Sequence, residues 1–505
     1  MNGVFVRILV SSVILSFCFI ATSPLKVSSN GWIQRKVKLR PTSEAHATRK
    51  KRPSNQEVLK QNAIKKPVQP CFRRTCLHKK FFQQLLSEKT LPSTKEHLLF
   101  LISIDGLAYR FLQNPNLELP NLRSLIKQGI LAKSQTIFPS MTWPAHATIV
   151  SGLLPREHGI IGNRWYHRRY RYTVYPHYHN VEKHRTFETV YDLAFQKGMH
   201  PAALMWPNTQ GAKTITYNLP EMYSKKQMRR FVSKDMRRFI RRHSSYSWGH
   251  VQRLLPAENH WTDKMVTKMA IRMLELKEKR PRFFLLHYLG LDSLLHQKPP
   301  TETYVKEGLE KIDKEIGYLL KALKKKRLLA KSTFLVVSDH GFTQVDRSID
   351  IRHLLRKYAR KEAFRKARYW LSEKNLKVIN NGHVSFVYFR KQDKSLEPLF
   401  EAIGKHPLMK KILRPAEYNA YGLPTPKEMR RSPDFMAVTK RYAYFHSHSH
   451  KAVTYRKVTG MHGFFPEHPE LSIPLILSGA GFPQLQKELS LHNLDIAPII
   501  RRILR

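Results

Sequence analysis

The sequence predicts an α/β protein built on a mainly parallel sheet flanked by helices, with a cap inserted late in the chain. Three observations predict it. Apolar runs at residues 97–104, 202–206, 283–288, 333–337 and 474–477 have the unbroken hydrophobicity of strands buried on both faces. Helical patterns lie between several of these runs, and strands alternating with helices imply a parallel sheet. Residues 346–457 break the texture with basic helical segments, the apolar run 384–389 and polar loops, as an inserted cap would.

A chain of 505 residues suits one large catalytic body with insertions. With 42% hydrophobic and 11% aromatic residues it has the material for a sizeable core, which excludes disorder throughout. Lys and Arg number 89 against 37 acidic residues, a formal charge of +52. A field of that sign draws nucleic acid, anionic membranes and phosphorylated substrates, and it equally describes a well-solvated surface. Residues 1–29 hold one early charge, Arg7, then an apolar run and Val27-Ser28-Ser29, which reads as a signal peptide with a signal anchor as the alternative. The expected destination is export, secreted or periplasmic. Residues 30–96 form a basic, proline-punctuated tail with a short helix expected over 81–88. The catalytic core is expected over 97–345, the cap over 346–457 and a return to the core over 458–505. Of three cysteines, Cys71 and Cys76 lie beyond the export segment, and a disulfide and two thiols both fit them. No internal repeat and no obligate protein partner is evident.

Ligands of open parallel sheets collect at the carboxyl ends of the strands. Asp105, Asp292 and Asp339 each fall at or just past such an end. Any one alone reads best as a cap or turn residue, but three in one topological place, two with a histidine nearby, point to metal ligands. Asp339 is followed by His340, Asp292 precedes His296 by four residues, and His462 sits between Gly460-Met461 and Gly463. Mixed imidazole and carboxylate donors suit zinc, with other divalent ions as alternatives. Thr142 opens a loop-to-helix turn, Thr142-Trp143-Pro144-Ala145-His146, where Pro144 fits the first turn and free amides favour a phosphoryl group. Coordination to a metal would activate its hydroxyl as a nucleophile; a plain N-cap is the alternative reading.

In this order, Asp105, Thr142, Asn163, Asp292 with His296, Asp339 with His340, and His462 resemble the nucleotide pyrophosphatase/phosphodiesterase branch of the alkaline phosphatase superfamily. Supporting stretches are Phe138-Pro139, the segment from Ser151-Gly152 to Gly162-Asn163, and Gly460-Met461-His462-Gly463-Phe464. The resemblance runs from about residue 99 to the end and leaves out the basic tail and most of the cap. It implies an alkaline-phosphatase-like fold and two zinc ions, one held by Asp292, His296 and His462, the other by Asp105, Asp339 and His340. It implies that Thr142 forms a covalent phosphoryl or nucleotidyl intermediate, and that Asn163 donates to a phosphate oxygen. The expected substrate is a nucleotide or another phosphodiester, and the alternatives are a phosphomonoesterase or phosphonate hydrolase of the same superfamily, or a polyanion-binding surface protein that keeps the hydrolase fold.

The departures narrow the reading. Sulfatase relatives carry Cys or Ser in a Cys-x-Pro-x-Arg frame, but here the frame reads Thr142-Trp143-Pro144-Ala145-His146. Some monoesterase relatives add a Lys-x-Arg pair near the segment Met205-Trp206-Pro207-Asn208, and its absence favours diesters. Trp206 is an expected wall for the organic group of such a substrate, with packing at a strand end as its alternative. Tyr166, with Trp165 and Tyr170, is an expected stacking surface for a base, or else packing under a loop. His146 and His158 are expected to support the site from behind, and His446, His448 and His450 to lie in a solvated loop. Residues 225–242 are expected to form one amphipathic basic helix, either docked on the core or lying on nucleic acid or an anionic membrane.

Overall fold

The computed structural model describes residues 96–505, apart from 177–179, 181–184, 223, 244, 255–259, 392 and 448–450. The export signal, the basic tail, the helix expected over 81–88, Cys71, Cys76, His448 and His450 fall outside the described residues.

Eight strands form the central sheet: β1 Leu98–Ile104, β2 Gly129–Gln135, β3 Ala202–Leu204, β4 Tyr217–Leu219, β5 Phe283–Tyr288, β6 Ser332–Val337, β7 Ile473–Gly479 and β8 Leu485–His492. They lie in the order β8-β2-β7-β6-β1-β5-β3-β4. Only β7 runs against its neighbours β2 and β6, and the other pairs are parallel. β1 sits between β5 and β6 and is buried along its whole length. Its alternate side chains therefore feed two cores. Leu98, Phe100, Ile102 and Ile104 join one apolar cluster, with helices His260–Met273 and Glu302–Lys325. Leu99 and Leu101 join the other, with helix Asn493–Ile503. Phe100 pairs in register with Phe284 and Phe334, and the rings stack at 4.8 and 5.2 Å. Full burial of such side chains contributes roughly 1.5–3 kcal/mol each, which fixes the strand ends where Asp105 and Asp339 emerge.

The strand expected over 202–206 stops at Leu204, because Met205 turns to a positive φ of 60°. The helix expected over 225–242 is two helices, Lys225–Phe231 and Lys234–Arg242. Val232 is extended between them, and the Ser233 hydroxyl starts the second by accepting from the Met236 amide at 3.2 Å. Met228, Phe231, Val232, Met236, Phe239 and Ile240 are all buried in the core, so the docked reading of this stripe is the one observed.

Residues after β6 build two further sheets. Leu376–Asn381, Val384–Phe389, Phe435–Thr439 and Met409–Leu413 make a four-stranded antiparallel sheet. Thr343–Ile349 pairs with Ala443–Phe445 and with Val453–Met461, so two of these strands cross the expected limits of the cap. Val453–Met461 ends beside His462. No helix among the described residues is long and apolar enough to cross a membrane.

Candidate active site

Asp105 follows β1 directly, and its amide donates to the Tyr288 carbonyl at the end of β5. Gly106 then turns at φ +75°, where a Cβ would meet the Phe342 ring at 2.4 Å. Its amide donates to Asp339 Oδ1 at 3.2 Å, which ties the ends of β1 and β6 together. Asp292 lies in the short helix Gly290–Leu295 and His296 at its C-cap. That helix has no side-chain cap of its own. Asp263, buried in helix His260–Met273, caps it from outside by accepting from Leu289 N at 2.8 Å and Gly290 N at 3.1 Å. A Cβ on residue 290 would lie 2.4 Å from Asp263 Oδ2, so the contact requires glycine there.

These elements bring the expected ligands into two triads: Asp105, Asp339 and His340, and Asp292, His296 and His462. Within each triad the ligand atoms lie within 4.8 Å of one another. His340 Nε2 is 3.3 Å from Asp105 Oδ1 and 3.1 Å from Asp339 Oδ2. In the other triad His296 Nε2 is 3.4 Å from Asp292 Oδ1 and 3.2 Å from His462 Nε2. The triads adjoin, for the His340 and His462 rings stack at 3.7 Å. Thr142, the first residue of helix Thr142–Ser151, places Oγ1 3.3 Å from His340 Nε2.

The donor set fits divalent metal. His340 Nδ1 faces the Gly341 carbonyl at 3.2 Å and His462 Nδ1 the Ser140 carbonyl at 3.1 Å. A carbonyl can only accept, so in a neutral ring each Nδ1 carries the proton and each Nε2 presents its lone pair to the triads. Lone pairs facing carboxylate oxygens repel unless positive charge lies among them. Asp105 Oδ1, Asp292 Oδ1 and Asp339 Oδ2 are buried without a hydrogen-bond partner. Burial, then Asp339 and Asp292, push the Asp105 carboxyl well above its ordinary range, and burial raises Asp292 to about 7. Burial lowers His296 to about 4 and, with the neighbouring imidazoles, takes His462 well below the usual range. Neutral imidazoles beside crowded carboxylates are the donors that zinc takes.

Asn163 Oδ1 accepts from the Trp143 amide at 3.0 Å, so one amide of the helix start is already capped and the Asn163 Nδ2 is the donor end. Trp206 differs from expectation. It has no exposed surface and packs edge-on against His146 at 5.0 Å, so it forms no wall open to a substrate. Tyr166 is half-buried, with its ring against Tyr388 at 5.6 Å in the apolar cluster that includes Phe386. Tyr170 is exposed and stacks on His167 at 4.6 Å. His146 supports the site as expected of it: Nδ1 donates to the Thr142 carbonyl at 2.8 Å and Nε2 lies 2.9 Å from Ser103 Oγ. His158 lies 3.1 Å from Thr148 Oγ1 of the same helix. His446, at the edge of the expected solvated loop, is half-buried.

Two residues behind the triads were missed. His287 places Nε2 3.1 Å from Asp105 Oδ2 and Nδ1 3.0 Å from the Met205 carbonyl, which orients the Asp105 carboxylate from behind. Its signal is a lone polar residue inside the apolar run 283–288. Asp263 has no comparable signal, since an acid on a helix pattern reads as solvated.

The family described as Type I phosphodiesterase / nucleotide pyrophosphatase matches residues 99–465. Among curated proteins, the chain is 28% identical over 252 residues to ectonucleotide pyrophosphatase/phosphodiesterase family member 3 of Mus musculus, covering 48% of this chain and 25% of that one. It is 25% identical over 253 residues to venom phosphodiesterase CdcPDE of Crotalus durissus collilineatus, covering 49% and 26%. The chain thus matches about a quarter of the length of these relatives. Its fold matches human ectonucleotide pyrophosphatase / phosphodiesterase 5 with a TM-score of 0.59 at 19% identity, covering 81% of this chain and 94% of that one. An inactive variant of the murine protein, solved in complex with AMP, matches with a TM-score of 0.59 at 18% identity, covering 81% and 95%. The chain belongs to the type I phosphodiesterase / nucleotide pyrophosphatase family.

Proposed function

We propose that the chain is a metal-dependent phosphodiesterase or nucleotide pyrophosphatase that works through a covalent Thr142 intermediate. The observation that carries this reading is the Thr142 hydroxyl 3.3 Å from His340 Nε2, at the junction of two triads in which each carboxylate keeps one buried oxygen without a hydrogen-bond partner. Asp292, His296 and His462 would hold one zinc ion, and Asp105, Asp339 and His340 the other. When bound, such ions supply Lewis acidity that offsets phosphoryl charge and favours the ionised form of a coordinated hydroxyl. The chain supplies the rest. His146 and the helix start fix Thr142, whose Oγ1 forms the new bond to phosphorus as the bond to the leaving oxygen breaks. The threonine proton passes through solvent to the departing group, and water then releases the phosphoryl group and restores the hydroxyl. Asn163 Nδ2 donates to a non-bridging oxygen, a preorganised contact that matters most as charge shifts.

A nucleotide or related diester is the proposed substrate, in line with the AMP bound to the murine relative and the missing Lys-x-Arg pair. The proposed body is a core over 97–345 and 458–505 with a cap over 346–457, on an exported chain whose signal is residues 1–29. The testing experiment is hydrolysis of an aryl nucleotide diester and the matching aryl phosphate monoester, with and without chelator. The expected result is zinc-restorable hydrolysis that favours the diester. Preference for the monoester would move the assignment to a phosphomonoesterase, and no hydrolysis by zinc-loaded protein would leave a polyanion-binding scaffold.

A further inference from the structure

The strands Leu376–Asn381 and Val384–Phe389 meet in a two-residue turn, with Asn381 opposite Val384 and Gly382 at the first central position with a φ of +65°. This turn belongs to neither triad, yet it touches the loops of two site residues. On one side the buried Asn381 side chain grips the loop that carries Asn163. Its Oδ1 accepts from the Arg164 amide at 3.1 Å, and its Nδ2 donates to the Arg164 carbonyl at 2.9 Å. The Asn380 carbonyl accepts from Arg164 Nε at 2.7 Å, and a Cβ on residue 162 would meet the Phe386 ring of the same hairpin at 2.9 Å. On the other side the His383 amide donates to the His462 carbonyl at 3.2 Å, and a Cβ on residue 382 would run into that carbonyl oxygen.

Asn163 is thus held at two points. Its Oδ1 accepts from the Trp143 amide at 3.0 Å, which leaves Nδ2 as the end that donates. The Arg164 amide shares a planar peptide unit with the Asn163 carbonyl, so a bond to that amide fixes the plane from which Asn163 projects. A carboxamide offers an acceptor and a donor side by side, the complement of one residue's backbone N–H and C=O. Aspartate lacks the donor, and an aliphatic side chain lacks both. The pairing therefore depends on residue type and not on filled volume alone. We propose that Asn381 is a positioning residue: from the cap it sets the direction of Asn163 Nδ2 toward a phosphoryl oxygen, and the turn that follows it keeps the Asn163 loop in register with His462. The inference rests on the role of Asn163 in the phosphodiesterase reading. A donor that matters most in the transition state is sensitive to placement, since a shift of about 1 Å can cost on the order of 100-fold in rate.

The test is steady-state hydrolysis of an aryl nucleotide diester by the zinc-loaded full chain carrying Asn381→Ala, Asn163→Ala or both. Asn163→Ala should lower kcat by about 100-fold or more, as loss of a preorganised donor does. Asn381→Ala should lower kcat about 10–100-fold with little change in KM. In the Asn163→Ala background the same change should cost less than about twofold, because the group it aims is gone. Asn381→Asp, which keeps shape and acceptor, leaves no cavity and loses only the donor, should show the same pattern. Asn380→Ala is the control for a loosened hairpin, because its side chain bonds Ser447 and Ser385 at 2.8 Å each while its backbone carbonyl stays in place. It should lower the unfolding midpoint as Asn381→Ala does and leave kcat unchanged. Normal kcat in the folded Asn381 variants, a full further loss on top of Asn163→Ala, or an equal loss in Asn380→Ala would overturn the inference. No loss in Asn163→Ala, or no turnover by the wild type, would instead remove the reading on which it rests, and the inference with it.

Discussion

The two triads have the same chemistry in different settings. Asp105, Asp339 and His340 stand on the ends of adjacent parallel strands, with side chains 2%, 0% and 0% exposed. Asp292, His296 and His462 come from a six-residue helix, its C-cap and a distant loop, with side chains 17%, 34% and 8% exposed. The first triad inherits its geometry from the stacked core beneath β1 and β6. The second depends on a cap supplied from another helix and on where Val453–Met461 ends. The strand-end site is therefore expected to hold its ion firmly, and the helix-borne site to exchange.

Changes at the shared element should have the largest effect. Thr142→Ala is expected to lower kcat by at least about three orders of magnitude, as loss of a covalent nucleophile does, while metal content and folding persist. Normal turnover by folded Thr142→Ala would mean that water attacks directly. His462→Ala comes next. It should lower metal content from two ions to near one, because Asp292 and His296 alone leave a tetrahedral shell half filled. Elemental analysis after gel filtration reads this, and loss of both ions together would erase the distinction between the triads.

A smaller effect tests the cap. Asp263→Ala strips the acceptor from the Leu289 and Gly290 amides, a cost of about 1–3 kcal/mol for buried donors. It should also loosen metal at the helix-borne site by about 10–100-fold, as loss of an orienting partner does. Gly290→Ala should act in the same direction through its 2.4 Å clash. Titration calorimetry with zinc measures both, and equal loss at the two sites would count against a positioning role.

The smallest effect concerns pH. Burial raises Asp263 to about 7, although the Leu289 and Gly290 amides pull it down. Its folded value lies above the unfolded value of about 3.9, so its contribution is fully present below that pH and is lost as pH rises through about 7. Asp263→Asn should flatten the fall of metal-free stability across that window, measured by denaturant unfolding at several pH values. An unchanged pH profile would mean that Asp263 does not titrate there.

The same contrast explains what was legible in the sequence. Asp105 and Asp339 could be read because an apolar run buried on both faces stops abruptly at each, and His462 because glycines flank it. β2 was not legible, because Lys133, Ser134 and Gln135 dilute the hydrophobicity of Gly129–Gln135. β4 has three residues and carries no periodicity to detect. The break at Val232–Ser233 was hidden because Phe231, Val232, Phe239 and Ile240 keep a helical spacing across it. Trp206 was misjudged because a strand-end tryptophan reads alike whether it faces a cleft or fills the space behind one. His287 and Asp263 act through other residues, and only the fold reveals which.

In the proposed mechanism two bound ions and one threonine make the catalyst. Its most direct test is an acid quench during turnover of an aryl nucleotide diester, with metal content measured on the same sample and the trapped species located by peptide mass. The expected result is a nucleotidyl adduct on Thr142 in protein holding two ions, absent after chelation and absent in Thr142→Ala. Sustained turnover with no adduct, or turnover by protein free of metal, would contradict it.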